Sequence, residues 1–359
     1  MLRRIGAHAV GPDVPVFVIA EIGLNHGGSL PRALALVEAA AWAGASAIKL
    51  QTLFADRLVA PACPAPAHVE ATSLREFFAQ FELSLDAHRT VAAHARARGL
   101  AVMTTPFAED VLPALEEIEL DAYKIASGDL TYDGLIAAAA ATTRPLIVST
   151  GMGTLPEIGH ALQVAKEAGS CETAVLHCVS AYPAPPEAQN LKAIETLVDA
   201  FGLPTGLSDH GSGLASAVVA VTLGACIYER HLVLDGDDDA IDRAVSSTPA
   251  ELRAIVTAMA HARLAIGSGV KVCQPAEAVN VTASRRGLYA TRALQAGERV
   301  TESDVIVLRP ANALAPSQSG DLVGSILQRD IAAGEPFSPE DLRDYGYPTP
   351  AGSVTRRIA

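Results

Sequence analysis

A TIM (β/α)8 barrel followed by a small β-rich domain is the fold this sequence predicts. Three observations predict it. Short apolar, β-rich runs recur eight times through the first two-thirds of the chain. A helical pattern follows each run. Near the C-terminus that alternation stops and a short internal repeat takes over.

The runs are Val16–Glu21, Ala47–Thr52, Leu100–Pro106, Ala122–Ser127, Pro145–Gly151, Thr173–Val179, Thr205–His210 and Ala225–Leu232. Their apolarity is nearly continuous instead of alternating, as in parallel strands buried on both faces. The segments between them, such as Leu30–Ala43 and Asp86–Arg98, carry Ala, Leu and Arg at helical spacing. Eight βα units in about 250 residues match a barrel. An open doubly wound sheet fits less well, because no Gly-rich dinucleotide fingerprint follows the first run. The barrel is expected over residues 1–266 and a linker over 267–283, which has Gly, Ser and Pro but no strong period. Then Arg292-Ala-Leu-Gln-Ala-Gly-Glu-Arg-Val-Thr301 aligns with Arg329-Asp-Ile-Ala-Ala-Gly-Glu-Pro-Phe-Ser338. Each copy places Ala-Gly-Glu in a turn and then Thr or Ser as the N-cap of a short helical turn. Two copies are too few for a solenoid. They predict a small pseudo-symmetric β-rich domain over 284–345, with a disordered tail over 346–359.

Composition narrows the function. The chain has 359 residues, 50% of them hydrophobic and 19% charged, which supports a sizeable core. Its net charge of −13 offers no basic footprint for nucleic acid. Gly213–Tyr228, the longest apolar stretch, is too short to span a bilayer, and no signal-peptide pattern follows Arg3 and Arg4. It reads as a buried helix running into a strand. The five cysteines are odd in number and form no CxxC, which fits a reducing cytoplasm. No membrane or nucleic-acid partner is expected.

Polar residues gather where barrel chemistry occurs, at the C-terminal ends of the strands. These ends carry Glu21, Lys49 and Gln51, Thr104 and Thr105, Lys124 and Ser127, Ser149 and Thr150, His177 and Ser180, Ser208 to His210, and Glu229 with His231. His210 and His231 end neighbouring strands, about 4.8 Å apart in a sheet. They can share a divalent metal with water or substrate, or they can be structural histidines; the residues alone leave both open. Glu21, brought beside them by barrel closure, suits metal ligation, acid–base work or a sugar hydroxyl. His177 reads as a core histidine. Lys49 and Lys124 sit in apolar strands, where lysine needs a partner. That partner is either a carboxylate inside the barrel or an anionic substrate at its mouth.

Taken together, these segments resemble one family. Phe17-Val-Ile-Ala-Glu-Ile-Gly-Leu-Asn-His26, Ala47-Ile-Lys-Leu-Gln-Thr52, Thr104-Thr-Pro-Phe107, Tyr123-Lys-Ile-Ala-Ser-Gly-Asp129, Ser149-Thr-Gly-Met152, Leu176-His-Cys178 with Tyr182-Pro183, Leu207-Ser-Asp-His210 and Glu229-Arg-His231 resemble the sialic acid (nonulosonic acid) synthases. The repeat region, with Arg309-Pro310, resembles their antifreeze-like, or SAF, domain. The resemblance runs in order from about residue 14 to 345. It implies a metal-assisted condensation of phosphoenolpyruvate with an N-acetylated amino sugar, such as N-acetylmannosamine or a diacetamido-trideoxyhexose, with release of phosphate. It implies Mn²⁺ or Mg²⁺ held by His210 and His231. Lys49, Thr105, Lys124, Ser127, Ser149 and Ser208 would bind phosphoenolpyruvate. Glu21, Gln51, Tyr182 and Asp242 would contact the sugar and assist its protons. It further implies a homodimer in which the small domain of one subunit covers the partner's barrel and Arg309 reaches the sugar's N-acyl group; within its own domain, Arg309 could instead form a salt bridge.

Three stretches depart from the family pattern, all on the expected sugar side. Ala181 stands where Asn or Glu often precedes Tyr-Pro. Arg243 follows Asp242 in place of His. The Arg309–Pro316 loop lacks the usual glycines. The phosphoenolpyruvate and metal sets are intact, so the reaction type is firmer than the acceptor. Two other functions are a synthase acting on a plain aldose, and a carbohydrate-binding homologue without catalysis.

Overall fold

The computed structural model describes residues 2–64, 71, 73–170 and 172–343. The expected tail, 346–359, lies outside the described residues. The chain divides into two compact units, Met1–Ser268 and the residues from Gly269 onward.

The first unit is a closed eight-stranded parallel barrel. Its strands are β1 (Phe17–Glu21), β2 (Ala47–Thr52), β3 (Ala101–Pro106), β4 (Ala122–Ile125), β5 (Leu146–Ser149), β6 (Thr173–Cys178), β7 (Thr205–Asp209) and β8 (Ile227–Leu232). Each pairs in parallel with the next, and β8 pairs with both β7 and β1, which closes the ring. The connecting segments carry α1 (Leu30–Ala43), α2 (Leu85–Ala97), α3 (Leu112–Glu116), α4 (Asp133–Ala141), α5 (Leu155–Glu167), α6 (Ala193–Phe201), α7 (Ala215–Thr222) and α8 (Pro249–Ile266). Their starts are set by local chemistry. Ser29 and Ser84 cap α1 and α2, while Thr154 with Glu157 and Thr248 with Glu251 form capping boxes on α5 and α8.

Nearly every strand residue is buried, because each strand faces helices on one side and the barrel interior on the other. Val18, Ile48, Val102, Val148 and Val175 pack against the helices. Phe17, Ile19, Met103, Ile147 and Leu176 fill the lower interior, where Leu2, Ile5 and Val10 of an N-terminal hairpin close the floor. Gly206 is required on β7, since a Cβ there would overlap the carbonyl of Ile227 on β8. With the lower barrel filled by apolar side chains, the polar strand ends are left at the mouth.

The second unit shows the repeat directly. Gly287–Ala290 pairs antiparallel with Val305–Leu308, and Ile326–Leu327 with Leu342–Arg343. Thr301 with Asp304, and Ser338 with Asp341, form matching capping boxes. Arg292 Nε donates to Asp304 at 2.8 Å and Arg329 Nε to Asp341 at 2.6 Å. The bridge Leu294↔Ile331 joins the copies. The segment read as a linker contains a helix, Ala278–Ser284, that periodicity does not reveal. Its Val, Asn and Thr are weak helix formers and no side chain caps it.

Candidate active site

Barrel register assembles the site. His231 on β8 pairs with Glu21 on β1, and Glu21 with Lys49 on β2, so these three residues share one layer. Lys49 Nζ forms an ion pair with Glu21 Oε2 and donates to Thr105 Oγ1 at 3.2 Å. Gln51 Nε2 donates to the other Glu21 oxygen at 3.3 Å. Gly23 leaves the room for this, as a Cβ there would overlap both Glu21 and Gln51.

Across the mouth, Lys124 Nζ donates to Ser149 Oγ at 2.5 Å and to the Ile125 carbonyl at 3.2 Å. Between the lysines stands Glu229. Its Oε1 is 3.7 Å from Lys124 Nζ and accepts from Ser208 Oγ at 2.8 Å; its Oε2 is 4.0 Å from Lys49 Nζ. Burial alone would raise the Glu229 carboxyl, but Lys124 and Lys49 outweigh it and hold the group down to about 2. Burial pulls Lys49 down, yet Glu21 and Glu229 leave it above the ordinary lysine value. Lys124 ends below that value: burial dominates, Glu229 offsets only part of it, and Lys49 adds to the lowering.

Ser127 Oγ accepts from the Gly151 amide at 3.0 Å, and a Cβ on Gly151 would come within 2.7 Å of that oxygen. His210, just after β7, and His231 on β8 are neighbours, with ring centroids 5.5 Å apart. His210 Nδ1 donates to the Val179 carbonyl at 2.9 Å, which leaves Nε2 as the bare nitrogen. Tyr182 stacks on His210, centroids 4.2 Å apart. His231 Nδ1 lies 3.2 Å from Asp242 Oδ2. Burial raises the Asp242 carboxyl, but His231 more than compensates and the group sits below its usual value.

These groups border one cavity of about 280 Å³. Lys49, Gln51, Thr105, Lys124, Ser127, Ser149, Tyr182, Ser208, His210 and His231 line it. Glu21 and Asp242 touch its walls through Lys49 and His231. Arg309 belongs to the second unit, where it is exposed and makes no ion pair among the described residues. A larger groove, about 550 Å³ between α5 and α6, lacks the lysine pair. His177 lines that groove and bonds the Gln189 carbonyl at 2.7 Å, the place of a structural histidine.

Residues 36–271 match the NeuB family and residues 285–343 the SAF domain. The N,N'-diacetyllegionaminic acid synthase of Legionella pneumophila is 35% identical over 92% of this chain and 96% of its own length. That of Campylobacter jejuni is 34% identical over 89% and 97%. The solved N-acetylneuraminic acid (sialic acid) synthetase of Leptospira borgpetersenii superposes with a TM-score of 0.69, at 32% identity, over 77% of this chain and 94% of that one.

The chain belongs to the NeuB family.

Within this NeuB-family barrel, two residues carry more of the site than sequence reasoning assigns. Glu229 is visible in sequence as a strand-end acid, but only barrel closure shows that it neutralises both lysines. Asn25 is buried; its Nδ2 donates to the Leu232 carbonyl and Ser246 Oγ, both at 2.8 Å, and its Oδ1 accepts from the Asp242 amide at 3.1 Å. It thereby holds the Asp242 loop against β8. The two histidines suit a divalent cation completed by other oxygens: one ring nitrogen is tied back and Nε2 is bare on His210. Among the described residues no group of three or more His, Cys, Asp or Glu side chains forms a complete metal cage, so water and substrate would supply the remaining positions.

Proposed function

We propose that this protein condenses phosphoenolpyruvate with the open-chain aldehyde of an N-acetylated amino sugar, releasing phosphate and forming a nonulosonic acid. The observation that carries this is the polarity of a single cavity. Two lysines and the hydroxyls of Thr105, Ser127, Ser149 and Ser208 line it together with two histidines, one of them backed by Asp242. Phosphoenolpyruvate is a small trianion, and burying it costs many kcal/mol unless cations and donors surround it. The lysines and hydroxyls supply both. They can do so because Glu229 and Glu21 already hold the ammonium groups in place.

Carbon 3 of phosphoenolpyruvate bonds to the aldehyde carbon, and the aldehyde oxygen takes up a proton. A water oxygen adds to carbon 2 and gives its proton to a carboxylate. Glu21, held beside Lys49 and Gln51, is the base in this reading. The carbon–oxygen bond to phosphate then breaks, leaving a keto acid. A divalent metal on His210 and His231 would supply Lewis-acid polarisation of the acceptor carbonyl. Asp242 and Tyr182 face the same side and orient sugar hydroxyls. Arg309, exposed and unpaired among the described residues, is read as serving the acceptor's N-acyl group in the barrel of a second copy.

The experiment is phosphate release from phosphoenolpyruvate with Mn²⁺ over a panel of acceptors: N-acetylmannosamine, its 6-phosphate, diacetamido-trideoxyhexoses and plain aldoses. Release that needs an amino sugar and stops with EDTA supports the reading. Release with plain aldoses alone would reassign the acceptor, and no release with any acceptor would leave a binding protein.

A further inference from the structure

Arg230 is the outward-facing residue of β8, between Glu229 and His231, which face the reaction cavity. It is 4% exposed. Its Nε donates to Ser247 Oγ at 3.0 Å, and its Nη1 to the carbonyls of Gly211 at 2.5 Å and Asp209 at 3.3 Å. The Asp209 carboxylate, 3.6 Å from Nη1, balances its charge. Its Nη2 makes no hydrogen bond to the described residues, and it is not among the polar atoms sealed off without a partner. Arg230 borders a groove of about 390 Å³ outside the barrel wall, between the first turns of α7 and α8.

Other donors meet there. Arg243 lines the same groove, and its nearest carboxylate, the exposed Asp238, is 3.8 Å away, beyond hydrogen-bond reach. The Ser247 hydroxyl accepts from Arg230, but its own proton has no acceptor among the described residues. No side chain caps α7, which starts beside Leu214 at the rim. The groove's carboxylate, Glu251, is already committed to the Thr248 amide at 2.8 Å. Leu214, Ala254 and Ile255 supply an apolar wall.

Arg230 Nη2, the Arg243 guanidinium and the Ser247 proton, all on groove-lining residues, have no hydrogen-bond acceptor among the described residues, in a chain of net charge −13. Two guanidinium groups and a hydroxyl lining one groove suit a tetrahedral oxyanion. The volume exceeds that of a bare phosphate, and the apolar wall accounts for the rest. We propose that this groove is a second ligand site, separate from the reaction cavity, for the phosphate monoester of a small organic molecule. A sugar phosphate and a nucleoside monophosphate share that chemistry.

The test is a titration of the full chain with glucose 6-phosphate, adenosine monophosphate and inorganic phosphate, followed by phosphorus-31 NMR and calorimetry. Lys124→Met weakens phosphate binding in the reaction cavity and leaves Lys49 to pair with Glu229. In that background a monoester binds saturably at one site per chain. Adding Arg243→Ala weakens it by about tenfold or more. Leu214→Glu, a change at an exposed rim position that brings a carboxylate into the groove, does the same, and thermal melts confirm that both variants fold. The tighter of the two monoesters identifies the organic body. Saturable binding that survives both substitutions, or none in the Lys124→Met background, overturns the site. Inorganic phosphate binding as tightly as either monoester overturns the monoester assignment.

Discussion

Glu229 Oε1 lies 3.7 Å from Lys124 Nζ, within a buried group that also holds Lys49. The barrel thus carries two ammonium groups at its mouth with a protein carboxylate between them. A substrate anion entering this space adds negative charge to a site that is already partly neutralised. Glu229 is therefore expected to trade stability of the free protein against affinity for the anion proposed to bind there.

Removing that carboxylate separates the two effects. Glu229→Gln leaves two buried lysines with only Glu21 to balance them, and breaking a buried ion pair costs about 3 kcal/mol or more. The free variant is expected to melt well below wild type. Phosphoenolpyruvate is expected to raise its melting temperature by more than it raises that of wild type. Equal shifts in the two proteins, measured by differential scanning fluorimetry, would show that Glu229 does not compete with the anion.

Lys124 predicts a pH dependence. Its ammonium loses its proton below the ordinary lysine value of about 10.4, chiefly because it is buried. Only the protonated form attracts phosphate, so KM for phosphoenolpyruvate is expected to rise as pH increases through the lowered pKa. Lys124→Arg stays charged and flattens this alkaline limb, at the cost of a poorer fit to Ser149. A wild-type limb that persists unchanged in the arginine variant would assign it to another group.

Asn25 is a positioning residue with a separable signature. Asn25→Ala removes the acceptor of the Asp242 amide and the donor to Leu232, leaving buried polar groups unmatched at about 1–3 kcal/mol. Because Asp242 faces the proposed sugar side, KM for the acceptor is expected to rise several-fold while KM for phosphoenolpyruvate stays near wild type. A purely structural role would lower stability and leave that ratio unmoved.

Much of this architecture is legible in the chain because its strands are buried on both faces. Val16–Glu21 and Ala225–Leu232 announce themselves as apolar runs, and barrel geometry then says where their polar last residues must be. The capping turns at Thr301 and Ser338 are equally local, since each cap amide donates to a carboxylate three residues on. What escapes is long-range. The role of Glu229 depends on lysines from β2 and β4 converging on β8, and Asn25 reaches a loop that follows the last barrel strand. For the lysines, the internal carboxylate is what the structure shows. They are paired inside the barrel and line the cavity as well.

The deciding measurement is the mass of the product formed from phosphoenolpyruvate and a candidate amino sugar in the presence of Mn²⁺. The expected product is a keto acid whose mass equals acceptor plus phosphoenolpyruvate plus water minus phosphoric acid, absent when EDTA is added and absent from Lys49→Ala. Phosphate released without that adduct, or an adduct that forms equally well in Lys49→Ala, would contradict the proposed condensation.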